Sequence, residues 1–247
     1  FLGVFAVCAI SNAAEAPVPE PFRGYDDSSK QAINYDVYSD LLGAMVLEVE
    51  PSNRAFASAP PTITGTRLRT KITETSNEGN RFFFEAFRDN EAGQKFLREV
   101  QTSLEQLPSQ TPLNTFSRDE QLAYWLNLYN VTVLNQIIDE YPKRSLRRLI
   151  RGKHSIFSKK LLSVAGIPLS LNDIQFTILA QNYDHNPLII YGLYQGVIGG
   201  PSIRRSAFYG GDVWYALEQN ADEFINSNRG TLPLLRNRPG GAPSAIS

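Results

Sequence analysis

Apolar residues recur at helical spacing in four stretches of the chain. Tyr35, Tyr38, Leu41, Leu42 and Met45 predict a first helix over residues 33–47. Phe96, Leu97, Val100, Leu104 and Leu107 predict a second, with Asn90 as its N-cap and Pro108 as its end. The third pattern is the strongest. Ser117-Arg118-Asp119-Glu120 reads as a capping box, in which the serine oxygen takes the Glu120 amide and the glutamate reaches back. From there to Pro142, Leu122, Leu126, Tyr129, Val133 and Ile137 share one face, and Ala123, Leu134 and Ile138 widen it almost all round. Gln121, Thr132, Gln136 and Asp139 are left as a narrow polar arc, so a central, largely buried helix is expected. A fourth helix is predicted over 212–227, with Val213, Leu217, Ala221 and Phe224 inward.

The intervening segments are shorter. Residues 81–87 are aromatic-rich, and 50–66 read as a loop with room for one strand. Residues 156–164 and 167–169 flank Ala165-Gly166, which predicts a β-hairpin. Ser170 to Asp173 cap a short helix reaching Ala180. Leu188 to Leu193 is an apolar strand candidate, after which Gly196, Gly199, Gly200 and Pro201 break the pattern. Together these elements predict an α+β fold: one domain over residues 30–230 with a buried central helix, several amphipathic helices and a small antiparallel sheet or hairpin.

The ends differ in character. Phe1 to Ile10 form an apolar run followed by small residues, the pattern of a truncated signal peptide over residues 1–14. Cleavage is expected after Ala13 or Ala14, since a cut after Ala16 would place Pro17 beside the scissile bond. The run is too short to span a bilayer, and no later run is long enough, so a periplasmic or secreted protein without a membrane helix is expected after signal removal. Residues 15–29 read as a linker and 231–247 as a loosely ordered tail.

Composition narrows the chemistry. Cys8 is the only cysteine. With the signal removed, the mature chain has no thiolate nucleophile, disulfide or thiolate metal site. The formal net charge of -1 argues against a general nucleic-acid binder. Only His154 and His185 supply imidazole, and no carboxylate spacing suggests a cation site, so neither a metal nor a cofactor is expected.

Three groups of residues remain as candidates. Asn127 and Asn130, three apart, fall within the apolar surround of the central helix. An unpaired buried amide costs about 1–3 kcal/mol, so both need backbone, side-chain or ligand partners. Clamping a neighbouring loop is the plainer of these roles. Asp184 and His185 could form half of an acid–base pair, with Arg204 as an anion clamp, or simply make a tight turn. Tyr191, Gln195, Gly199 and Gly200 follow close by, and the Gly199-Gly200-Pro201 turn permits close backbone approach to a ligand. The third group is basic. Arg144, Arg147, Arg148 and Arg151 form a run suited to an anionic surface, or to a solvated helix face.

The stretch FSRDEQLAYWLNLYNVTVLNQIIDEYP resembles the hallmark helix of the domain of unknown function 547 family. LSLNDIQFTIL and PLIIYGLYQGVIGGPSIRRSAFYGGDVWYALEQNADEFINS resemble its following blocks, so the likeness covers residues 30 to 230. It implies a single α+β domain, with a distant likeness to papain- or transglutaminase-like folds. It also implies four polar positions that this chain departs from. Gln175 stands where the family commonly has Glu, Ala180 near a usual Arg, Ile190 in place of His, and Gly200 in place of a Cys before proline. The scaffold is kept while the thiol chemistry is absent. A non-catalytic binding or scaffolding domain of the cell envelope is therefore expected, with Asn127, Asn130, Gln175, Tyr191, Gln195, Gly199, Gly200 and Arg204 at its site. The alternative is a hydrolase of peptide or envelope glycan that uses no thiol.

Overall fold

A computed structural model describes residues 16–50, 79–142, 146–152, 154–197, 199–227 and 229–230. The expected signal peptide, the loop with its one strand, the C-terminal tail and Arg144 lie outside these residues, apart from the start of that loop. The fold is organised around α3, Arg118–Glu140. Every residue of it from Glu120 to Asn135 is buried. The predicted polar arc is therefore not a solvent face along its whole length. Asp139 is exposed and pairs with Arg98 at 2.6 Å, but Gln121 and Thr132 are inside. Buried polar groups need partners, and these have them. Gln121 donates to the Leu113 and Gly24 carbonyls at 2.8 and 3.0 Å, and the Thr132 hydroxyl donates to Leu128 of its own helix at 2.7 Å.

Half of the predicted capping box forms. Ser117 Oγ accepts from the Glu120 amide at 3.2 Å. The Glu120 carboxylate does not turn back to close the box; it accepts from the Ile33 amide at 3.0 Å, across the fold. Two helices are shifted from expectation. The first, α1, spans Asp36–Met45, because Val46–Leu47 leave it as strand β1 and pair antiparallel with β2, Arg81–Phe82. The second, α2, spans Glu91–Gln110 and starts at Asn90, whose side chain accepts from the Gly93 amide at 2.9 Å. Pro108 does not end it but lies inside its last turn.

A four-residue helix, α4, Arg147–Ile150, precedes the hairpin. The hairpin is β3, Leu162–Val164, with β4, Ile167–Leu169, and its first predicted strand is shorter than expected. Ala165 and Gly166 both have left-handed φ, 48° and 77°, as a tight two-residue turn of matching twist requires. Ser170 and Asp173 exchange hydrogen bonds and open a segment of wide π-type turns, Asp173–Leu179, which ends as α5, Ala180–Asn182.

The apolar strand expected at Leu188 to Leu193 is a 3-10 helix, Pro187–Gly192. Asn186 caps it by accepting from the Leu188 amide at 2.9 Å, and it packs on the last helix, α6, Val213–Asn226. A short apolar run does not distinguish strand from buried helical turn, and here Asn186-Pro187 supplies a helical start. Residues 16–29, read as a linker, lie along the domain. Phe22 is buried with its ring edge-on to Trp125 at 5.1 Å, and the Asp26 amide donates to the Phe116 carbonyl at 3.0 Å. Among the described residues no helix is long and apolar enough to cross a membrane.

Candidate functional site

Asn127 and Asn130 act as brackets from α3. Asn127 donates to the Phe208 carbonyl at 2.8 Å and accepts from the Phe208 amide at 2.9 Å. Asn130 donates to the Gly192 carbonyl and accepts from the Tyr194 amide, both at 2.9 Å. Each carboxamide thus pairs with backbone as a neighbouring strand would. From α6, Asn220 donates to the Tyr191 carbonyl at 3.0 Å. The strip from Pro187 to Ser202 is therefore pinned from two helices, and three cavities open along it.

The first cavity, of about 140 Å³, is bordered by Gln175, Phe176, Ala180, His185, Ile190 and Leu193. It brings together two of the predicted residues, Gln175 and His185. It also gathers two of the positions where the family resemblance implies another polar residue, Gln175 and Ile190, together with Ala180, near which it implies an arginine. Gly200, where it implies a cysteine, is not among its lining residues. The second cavity, of about 400 Å³, places Gln195 and Gly199 beside Arg151 and Phe157. Arg151 is the one member of the basic run whose side chain is described, and it is exposed. The third, of about 290 Å³, lies across Pro201 and Ser202 from the strand β2.

The remaining predicted residues do not join a single site. Tyr191 and Arg204 both meet Asn220 at α6. Arg204 donates to the Ala216 carbonyl at 3.0 Å and to Asn220 Oδ1 at 3.3 Å, and lies over the Phe208 ring. Burial pulls its pKa below the usual arginine value, which the charge of Asp212 partly offsets. Asp184 and His185 both have left-handed backbone, φ 55° and 54°, and close the end of α5, where the His185 amide donates to the Ala180 carbonyl at 2.7 Å. The Asp184 carboxylate is 86% exposed and pairs with Arg118 at 2.8 Å. Of the two, only His185 lines the first cavity.

Glu120 was expected as a helix-cap residue and is instead a buried carboxylate. Burial pushes its pKa up, and hydrogen bonds from the Ile33 and Gly210 amides pull it partly back. Gly210 is fitted to it: a Cβ there would stand 2.4 Å from Glu120 Oε2. The Tyr35 hydroxyl is raised well above its ordinary pKa, by burial first and then by the charge of Glu120. The capping-box pattern at residues 117–120 gave no sign of this burial. Asn220 and Arg229 carried no sequence signal either, because, Glu223 aside, their partners lie 16 to 29 residues away in the chain. Among the described residues no three His, Cys, Asp or Glu side chains are grouped as a metal site.

The family model described as Protein of unknown function, DUF547 matches residues 113–225. That span runs from the turn before α3 almost to the end of α6 and includes all three bracketing asparagines. No curated protein and no solved structure matches the chain.

Proposed function

For this member of the DUF547 family we propose a non-catalytic binding role in the cell envelope, centred on the cavity between Gln175 and Ile190. One observation carries this reading. The positions where the family resemblance implies Glu and His converge on that cavity with Ala180, near which it implies an Arg, and here Gln175 and Ile190 hold a neutral amide and an aliphatic chain. The rim is apolar and open, with Phe176 59% and Ile190 46% exposed. A small concave site with an apolar wall and few polar groups suits a short aliphatic or aromatic group of a ligand. The signal-like N-terminus supports a place outside the cytoplasm.

A thermal-shift panel on the signal-free chain tests it, with apolar peptides, peptidoglycan fragments, oligosaccharides and anionic lipids. A ligand at about 100 times its dissociation constant adds about 2.7 kcal/mol. The expected result is a shift with an apolar peptide, lost in Ile190→Asp. A shift that survives Ile190→Asp, or a silent panel, removes the reading.

His185 at the same cavity favours the second reading, a hydrolase of peptide or envelope glycan. Asp184 counts against it, since its carboxylate is already paired with Arg118. Incubating the ligand with the protein separates the two. A cleaved product that disappears with His185→Ala establishes the hydrolase.

A further inference from the structure

Neither the basic run nor the glycine turn enters the binding role at Ile190, yet the second cavity joins one to the other. Ile150, Arg151 and Phe157 border it from one segment, and Gln195, Val197 and Gly199 from a second. Both segments are anchored. The Phe157 carbonyl accepts from the Asn172 amide at 2.9 Å, and its ring stacks on Tyr129 of α3 with 6.4 Å between centroids. In the second segment, Asn130 pins Tyr194, and the Gly200 amide donates to the Val197 carbonyl at 3.1 Å. Gly196, at φ 68°, lies so close to α3 that a Cβ there would stand 2.5 Å from Ile137 Cδ1. The walls are thus fixed before a ligand arrives, which lowers the ordering cost of binding. At about 400 Å³ the cavity has room for a small organic molecule.

Three donors at this cavity lack acceptors. Among the described residues the Arg151 guanidinium, the Gln195 carboxamide and the Gly199 amide make no hydrogen bond, and Arg151 makes no ion pair. All three residues can be reached from solvent. Arg151 and Gly199 are exposed, Gln195 is half-buried, and a Cβ on Gly199 would meet nothing within 4 Å. No carboxylate lines the cavity among the described residues. Residues 141–172 hold eight Lys and Arg and no Asp or Glu, so the segment that supplies Arg151 brings nothing to neutralise it. The first carboxylate after it, Asp173, is paired with Lys160 at 2.6 Å. An uncompensated cation beside neutral donors selects an anion. A guanidinium fork on one segment and two amide donors on the other suit a phosphoryl group, whose three terminal oxygens point in different directions, better than a planar carboxylate with two. Ile150, Phe157 and Val197 leave an apolar wall for the group that carries the phosphate.

We propose that this cavity binds a phosphate monoester with a small apolar or aromatic body, its phosphoryl oxygens accepting from Arg151, Gln195 and the Gly199 amide and its body lying against Phe157. The site shares no residue with the cavity at Ile190, so either can fail without the other.

The test is calorimetric titration of the full chain at low salt. Phenyl phosphate is the probe, benzoate the planar anion of similar body, and inorganic phosphate the head group alone. Phenyl phosphate gives saturable binding, and benzoate and inorganic phosphate each bind several-fold more weakly. Arg151→Ala weakens phenyl phosphate binding by about tenfold or more, the loss of a charge-assisted hydrogen bond. Gln195→Ala weakens it several-fold. Neither side chain has an internal partner among the described residues, so both variants keep the native thermal unfolding midpoint. Vesicles containing phosphatidate separate a lipid head group from a free ester. Binding to vesicles without saturable binding of phenyl phosphate overturns the proposal in favour of a membrane contact. Benzoate or inorganic phosphate binding as tightly as phenyl phosphate, or an affinity unchanged in Arg151→Ala, overturns it as well.

Discussion

Tyr124 donates its hydroxyl to the Leu104 carbonyl at 2.9 Å. Leu104 lies four residues before Pro108, and proline has no amide hydrogen to give the carbonyl one turn earlier. A side chain of α3 therefore replaces the helical bond that Pro108 removes from α2. This is why α2 continues through the proline to Gln110. It also ties the two longest helices together at a buried point. Tyr124→Phe should destabilise by about 1–3 kcal/mol, since it leaves the Leu104 carbonyl buried and unpaired. Pro108→Ala restores the amide, so Tyr124→Phe should cost clearly less in that background. A double-mutant cycle from urea denaturation measures the coupling. Equal costs in both backgrounds would show that the two residues act independently.

Asn130 holds the turn that gives Leu193 to the first cavity and Tyr194 to the third. Removing its carboxamide orphans the Gly192 carbonyl and the Tyr194 amide together. Asn130→Ala should therefore cost about 2–6 kcal/mol, two unsatisfied buried groups at the usual penalty each. Asn130→Asp should also destabilise, because a carboxylate cannot donate to Gly192. Equilibrium unfolding of both variants checks this, and a cost below that of an ordinary surface substitution for Asn130→Ala would contradict the bracket.

Glu120 predicts a pH dependence. Its folded-state pKa is raised by burial, so the native state holds this proton more tightly than the unfolded chain. Stability from this group is full below the ordinary carboxyl range. It is lost as pH rises through the raised folded value, and is constant above it. Glu120→Gln should flatten the stability curve across that window relative to the native chain, read from urea midpoints at a series of pH values. An unchanged slope would mean that the charge is better accommodated than its burial implies.

The segment before α1 contributes to stability through Phe22, whose ring meets Trp125. Phe22→Ala should cost about 3–5 kcal/mol, the usual range for a buried aromatic truncation. A chain beginning after Gly24 should lose at least as much. Thermal unfolding of the two compares them directly, and a truncated chain as stable as the whole would show that residues 16–24 only rest on the surface.

Periodicity made α3 and the last helix legible, because a helix that must be buried shows it in every third and fourth residue. Asn90, Ser117 and the Ala165-Gly166 turn were legible for a similar reason: capping and left-handed turns depend on residues a few positions apart. Asn127 and Asn130 were recognisable as groups that needed partners, although their partners were not.

What stayed hidden depends on contacts across long stretches of chain. The run 188–193 satisfies strand and helical-turn patterns equally, and packing on α6 settles it. Glu120 reads as a surface cap until Ile33 and Gly210 close over it. Tyr124 compensates Pro108 from another helix. Asp184 and His185 are adjacent in the chain, but one meets Arg118 and the other faces a cavity. Local interactions act over a few residues and so leave their mark in local order. The placement of buried polar groups depends on which distant backbone atoms arrive beside them, and that is known only once the chain has folded.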